Sequence, residues 1–263
     1  EGVTVRYGRF DQGGGINVSG AELMLINCLI ESNQTAGSGS DGAGIYARNT
    51  FLNIAHTTIK NNNATNENGD PGSGAGITIT NDDSESNLEI SNSIIESNVA
   101  DGGSGGGIAA LGSSSEMPFN AFINNSIFSG NSSARHGGAI YLSGLDHFEV
   151  SGCTFENNSA VTDGGAIMAE NTEISQTFIN DSYFYGNSAG DTGGGLRFFN
   201  GFQEIQNSVI SNNHANVEGG GIKFTGSSPN INFCTIANNS SSVCAGGIVA
   251  VYDQVNIRNS IIY

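Results

Sequence analysis

Two cations stand at the same place in neighbouring repeats of this chain. Arg197 follows Gly193-Gly194-Gly195-Leu196, and Lys223 follows Gly219-Gly220-Gly221-Ile222. Tyr141 holds the equivalent position two repeats before Arg197, and Glu170 lies a few residues after Gly164-Gly165-Ala166-Ile167. His136 and Asp163 each sit directly before a Gly-Gly pair. If the repeats stack, these two side chains are about 5 Å apart, one inter-strand spacing. An amine or guanidinium close to carboxylates on an outward face can serve as a general base, so Arg197, Lys223, Glu170, Tyr141, His136 and Asp163 form the candidate catalytic set. The same column carries Asp41, Asp191 and Glu218 close before the glycines, which makes structural Ca²⁺ between coils an expectation. Ser73, Ser104, His136 and Cys244 interrupt that acidic column, and no dense set of Asp ligands supports a catalytic metal.

The elements that must position these residues follow from two anchors. One is the Gly-rich step into an aliphatic residue, as in Gly42-Ala43-Gly44-Ile45 or Gly137-Gly138-Ala139-Ile140. The other is an aliphatic residue or Phe with Asn three positions on: Ile30/Asn33, Ile59/Asn62, Ile95/Asn98, Phe128/Asn131, Phe155/Asn158, Phe184/Asn187, Ile210/Asn213 and Ile236/Asn239. The spacing, from 26 residues (Asn187 to Asn213) to 36 (Asn62 to Asn98), is that of a solenoid repeat. Period-two alternation gives three short strands per coil. Strand a follows the glycines (Ile140, Leu142), strand b comes next (Phe148, Val150), and strand c ends at the second anchor (Cys153, Phe155). We therefore expect an all-β, right-handed, single-stranded parallel β-helix of about nine coils, one domain over 1–263, read as part of a longer chain.

Three columns have roles that follow from residue type. Between strands b and c stand Asn27, His56, Asn92, Asn125, Gly152, Asp181, Asn207, Phe233 and Asn259, mostly types that tolerate a left-handed backbone; Phe233 is the exception. Strand c opens on a small residue in every coil: Cys28, Thr57, Ser93, Ser126, Cys153, Ser182, Ser208, Cys234 and Ser260. This predicts a tight inner corner whose hydroxyls satisfy nearby backbone. Three of the four cysteines belong to this column; Cys28 and Cys153 are four coils apart, roughly 19 Å, too far for a disulfide. The anchor Asn residues can stack as a ladder of side-chain amides, each both donor and acceptor. Insertions should project as loops at 65–73, 99–104 and 112–118.

The outward position of strand c reads Leu29, Thr58, Ile94, Ile127, Thr154, Tyr183, Val209, Thr235 and Ile261. Leu29, Ile94, Ile127, Tyr183, Val209 and Ile261 make an apolar stripe, a candidate docking surface.

Composition narrows the function classes. There are 25 acidic residues against 8 basic ones, a net charge of −17, which disfavours nucleic acid and anionic lipid as partners. No stretch is apolar enough to span a membrane as a helix. Glycine, 39 residues, is abundant without the strict period of collagen, and the in-register hydrophobic residues argue against disorder.

Gly-Gly-Ala-Ile at 137–140 and 164–167, with Phe128-x-x-Asn131, Phe155-x-x-Asn158 and Phe184-x-x-Asn187, resembles the paired signatures of the chlamydial polymorphic membrane proteins, whose passengers are adhesin-type β-helices. Most copies here use Ile in place of Phe. The form Asn-Ser-x-Ile-x-x-Asn also resembles β-helical surface proteins exported with a C-terminal sorting domain. The resemblance implies an extracellular or cell-surface scaffold: a stalk, adhesin or filament component without catalytic activity, meeting glycans, another surface protein or itself. The same fold carries pectate-lyase-like enzymes, so a polysaccharide lyase, epimerase or hydrolase built on the Arg197/Lys223 set is the second expectation, and a carbohydrate-binding module a third.

Overall fold

The computed structural model describes residues 1–35, 41–65, 72–112, 117–170, 175–252 and 254–263. Among these every regular element is a β-strand, and every pairing between strands is parallel. The chain is a parallel β-helix. Three of its sheets stack nine strands and one stacks ten. Nine strands make eight coil-to-coil steps, so the chain completes about eight full turns, slightly fewer than the nine expected.

Each coil has four strands, not three. In one coil they are a, Ile140–Ser143; b, His147–Ser151; c, Thr154–Glu156; and a two-residue strand d, Ser159–Ala160. Strand d follows the anchor Asn directly and is too short to display alternation, which is why period-two reading passes over it. From the second d strand to the seventh its second residue points inward and is small: Thr35, Ala64, Ala100, Ser133, Ala160 and Ala189. In the first, Arg9–Phe10, the exposed Phe10 holds that place. The loops expected at 65–73 and 112–118 fall largely outside the described residues, at 66–71 and 113–116.

The columns inferred from the sequence are physical stacks. Ile30, Ile59, Ile95, Phe128, Phe155, Phe184, Ile210 and Ile236 are paired in register and fully buried. The Phe128 and Phe155 rings stack at 4.7 Å between centroids, and Phe155 and Phe184 at 4.8 Å. All nine residues of the b–c corner have positive φ, Phe233 included at 55°. A second left-handed column lies directly before the anchor Asn: Ser32, Asn61, Ser97, Gly130, Asn157, Gly186, Asn212 and Asn238.

Side-chain ladders run the length of the molecule beside the backbone pairing. Each anchor Asn donates from Nδ2 to the next anchor's Oδ1 at 2.9–3.0 Å, from Asn33 through to Asn239. In the small column Thr57, Ser93, Ser126, Ser182 and Ser260 offer side-chain oxygens to backbone N–H groups of the preceding coil, at 3.1–3.2 Å. Cys153 substitutes its sulfur, accepting from Ser126 N at 3.4 Å while donating to Ser151 O. All four cysteines are free, three of them buried and Cys244 exposed.

Glycine is required where coils meet closely. A Cβ at Gly44 would lie 2.4 Å from Gly76 O and 3.2 Å from the Asn62 amide, so the Gly-rich step lets the backbone close over the ladder.

Candidate functional site

The outer face of the a sheet carries the expected catalytic set, but it is a covered face. Tyr141, Met168, Arg197 and Lys223 form one register column. The expectation of a solvated outward surface does not hold for the two cations: Arg197 is 5% exposed and Lys223 4%. The turn entering each strand folds back over it. A Cβ at Gly193 would lie 2.9 Å from Arg197 Cβ, and Thr78 donates to Ser73 O at 2.7 Å across the same turn of another coil. Lys223 Nζ donates to Glu218 Oε1 at 2.5 Å. Arg197 Nη1 donates to Phe198 O at 2.9 Å and Thr225 Oγ1 at 3.1 Å, and its guanidinium lies 3.5 Å from the Phe199 ring centroid. Both charges are therefore engaged by the fold, with their aliphatic stems packed under the turn.

The other four members adjoin one another. His136 Nδ1 lies 3.4 Å from Asp163 Oδ2 and 2.8 Å from Thr162 Oγ1. Asp163 Oδ1 accepts from both Thr192 N and Thr192 Oγ1, at 3.1 and 2.7 Å. Burial pushes the Asp163 carboxyl up, but the hydrogen bonds from His136 and Thr192 and the His136 charge outweigh it and hold the group below the usual carboxylate range. The His136 and Tyr141 rings stand 6.0 Å apart, and Tyr141 donates to Glu170 Oε2 at 2.8 Å. Burial and the Glu170 carboxylate drive the Tyr141 pKa well upward, so the phenol stays protonated and donates to Glu170.

The acidic column before the glycines caps turns. Asp41 Oδ1 accepts from Ser73 N at 2.7 Å, as Asp163 does from Thr192, and Glu218 faces Lys223. Burial raises the Asp41 pKa against the lowering effect of the Ser73 hydrogen bond. Among the described residues no three His, Cys, Asp or Glu side chains are grouped to hold a metal ion.

The apolar stripe is continuous. Leu29, Thr58, Ile94, Ile127, Thr154, Tyr183, Val209, Thr235 and Ile261 are paired one to the next along the c sheet. Ile94, Ile127, Tyr183 and Ile261 are exposed, while Leu29 and Val209 are half-buried. Ion pairs border it near one end, Arg6 with Glu31 and Lys60 with Glu96, both at 3.9 Å.

Sequence reasoning missed a second surface, the outer face of the b sheet. One column reads Met24, Asn53, Glu89, Phe122, Glu149, Phe178, Glu204, Asn230, Asn256. Beside it run Glu22, Phe51, Asn87, Asn120, His147, Gln176 and Phe202. The signal was present, since Asn53, Glu89, Phe122, Glu149, Phe178 and Glu204 each lie between two buried residues, but only register shows that aromatics and acids alternate across coils.

Residues 122–143 and 152–170 match the Chlamydia polymorphic membrane protein repeat. The two matched stretches contain Phe128-x-x-Asn131 with Gly137–Ile140, and Phe155-x-x-Asn158 with Gly164–Ile167, the motifs that carry the resemblance in the sequence. In the structure they are two adjacent coils stacked c on c and a on a. The chain is a β-helix repeat protein similar to polymorphic membrane protein passengers, with Ile replacing Phe in most coils outside the match. No curated protein and no solved structure matches the chain.

Proposed function

We propose that this chain is a rigid scaffold segment of a surface-displayed protein, holding the c-sheet stripe out for adhesion to a protein partner. The observation that supports this reading is the unbroken register: the anchor Asn ladder and the stripe pass through successive coils at one residue per coil, so the molecule works as a rod with a repeated face. Ile94, Ile127, Tyr183 and Ile261 make that face apolar, and the paired charges near one end form a polar border, the arrangement of a docking surface with a desolvated centre. The family resemblance supports surface location. Burial of Arg197 and Lys223 disfavours the polysaccharide-cleaving alternative, because a general base must reach the proton it removes.

The test is display of this chain on a carrier cell. Cells bearing the wild-type segment should adhere to a receptive surface, and Ile94→Lys with Ile127→Lys should abolish adhesion while leaving the unfolding midpoint within experimental error. Unchanged adhesion with these two substitutions would remove the stripe from the function.

A further inference from the structure

The outer face of the b sheet has a chemistry distinct from the c stripe. Phe122, His147, Phe178 and Phe202 come from four successive coils and form one track of rings, with centroid separations of 5.2, 5.2 and 6.2 Å. Carboxylates flank the track within the central column: Glu89 before Phe122, Glu149 between the two Phe, Glu204 after Phe178. The third outward column is Ile26, Ala55, Ser91, Asn124, Ser151, Asn180, Gln206, Asn232 and Arg258. Across all three columns Arg258, in the last coil, is the sole Lys or Arg among the described residues. Shallow depressions continue the face beyond the rings. One is lined by Asn53, Glu89, Ser91, Phe122 and Asn124, and the next by Glu22, Phe51, Asn53, Asn87 and Glu89. Glu89 is held across the coils by Asn53 Nδ2 at 3.0 Å and within its strand by Asn87 Nδ2 at 3.0 Å.

We infer that this face binds an uncharged, extended polysaccharide lying along the solenoid axis, of the equatorially 1,4-linked type. Three features select that ligand. The four rings are half-buried, and the surface they leave open can meet the apolar C–H faces of pyranoses, while the carboxylates and amides beside them accept from and donate to hydroxyls. The acids Glu22, Glu89, Glu149 and Glu204, with no facing Lys, repel uronate polymers, nucleic acid and anionic lipid. The period also matches. Coils advance about 4.8 Å, close to the length of one such pyranose, and aromatic and acid alternate with a two-coil period in the central column. A chain whose sugars flip at each linkage presents its two faces with the same two-unit alternation. A protein partner would favour a contiguous apolar patch, and Glu149 divides this one.

The inference does not depend on the adhesive role of the c stripe, because it uses a different sheet and a different set of columns. The test is affinity electrophoresis and titration calorimetry of the whole chain with cellohexaose, chitohexaose and polygalacturonate. Binding of at least one uncharged hexamer is expected, with polygalacturonate inert. Phe122→Ala with Phe178→Ala should weaken that binding at least tenfold, and Tyr183→Ser on the c sheet should leave it unchanged. Should the double Phe variant not fold, Glu149→Gln with Glu204→Gln, which changes only surface side chains, should weaken binding about fivefold. Failure of both hexamers to bind, binding of polygalacturonate alone, or full affinity in a folded Phe or Glu variant would overturn the assignment. Loss of c-stripe adhesion with glycan binding intact would leave it standing.

Discussion

Asn131 and Asn158 share one oxygen. The Asn158 Oδ1 accepts both the backbone N–H of Asn131 and its Nδ2–H, each at 3.0 Å, while Asn158 Nδ2 donates to Phe128 O and to Asn187 Oδ1. The side chain thus makes four hydrogen bonds at zero exposure. Burying an amide is unfavourable unless its groups are paired. Stacking identical amides pairs each by its neighbour, so the ladder is satisfied except where it stops.

Substituting Asn158 by Ala leaves the Asn131 N–H and Nδ2–H, the Phe128 carbonyl and the Asn187 oxygen short of partners. At about 1–3 kcal/mol per orphaned buried group, we expect a loss of several kcal/mol, read from the shift of the urea midpoint. Asn158→Asp retains the acceptor but buries a charge and removes the donor, and should be at least as damaging. A loss under 1 kcal/mol for either would show that the ladder does not hold the coils together.

Gly164 and Gly20 both have positive φ, at 67° and 62°. A Cβ on Gly164 would lie 2.5 Å from Ile167 O, whereas nothing lies within 4 Å of one on Gly20. Gly20→Ala should therefore cost only the left-handed penalty, about 1–2 kcal/mol. Gly164→Ala adds overpacking against strand a and should cost roughly 3 kcal/mol or more. Equal thermal midpoints for the two variants would contradict the turn geometry.

Phe233 occupies the left-handed b–c corner with φ 55° and is 60% exposed. Its column neighbours are Asn207 and Asn259. Phe233→Asn should raise stability by about 1 kcal/mol, since it relieves a bulky residue of an unfavourable backbone without emptying the core. A fall in the unfolding midpoint would mean that the ring makes a contact worth more than the strain.

Two carboxyls in the same turn column should respond oppositely to acid. The Asp163 pKa is held below its ordinary value, so its stabilisation is complete above the unfolded value, near about pH 4, and is lost as pH falls through the folded value. Asp163→Asn should destabilise at neutral pH, and the difference from wild type should shrink in acid. The Asp41 pKa is raised, so protonation favours the folded state and this contribution disappears as pH rises through the folded value. Asp41→Asn, whose amide oxygen can still accept from Ser73 N, should be neutral or stabilising at pH 7. Denaturation midpoints across pH 2.5 to 7, a window of roughly the carboxyl range, distinguish the two.

Much was legible from the chain alone, because a stacked repeat turns local residue type into a global column. The ladder asparagines, the small corner residues, the b–c turn residues and the c stripe each recur at fixed offsets from the Gly-Ile and Ile/Phe-x-x-Asn anchors, and their roles follow from side-chain size and hydrogen-bonding capacity. Strand d escaped notice because two residues carry no period. The left-handed column before each anchor Asn escaped because Ser, Asn and Gly share it without a common motif.

The candidate sites depended on more than offsets. From Arg197 and Lys223 the sequence determined that two cations share an outward position on neighbouring coils. It did not determine that the Gly turn folds back over them, because coverage is set by the path of a loop and not by strand alternation. The same holds for Phe122, Glu149 and Phe178: each is an outward residue on its own strand, but inserts of different length separate them. Only the stacking of coils, which fixes register through backbone hydrogen bonds, aligns them into one face.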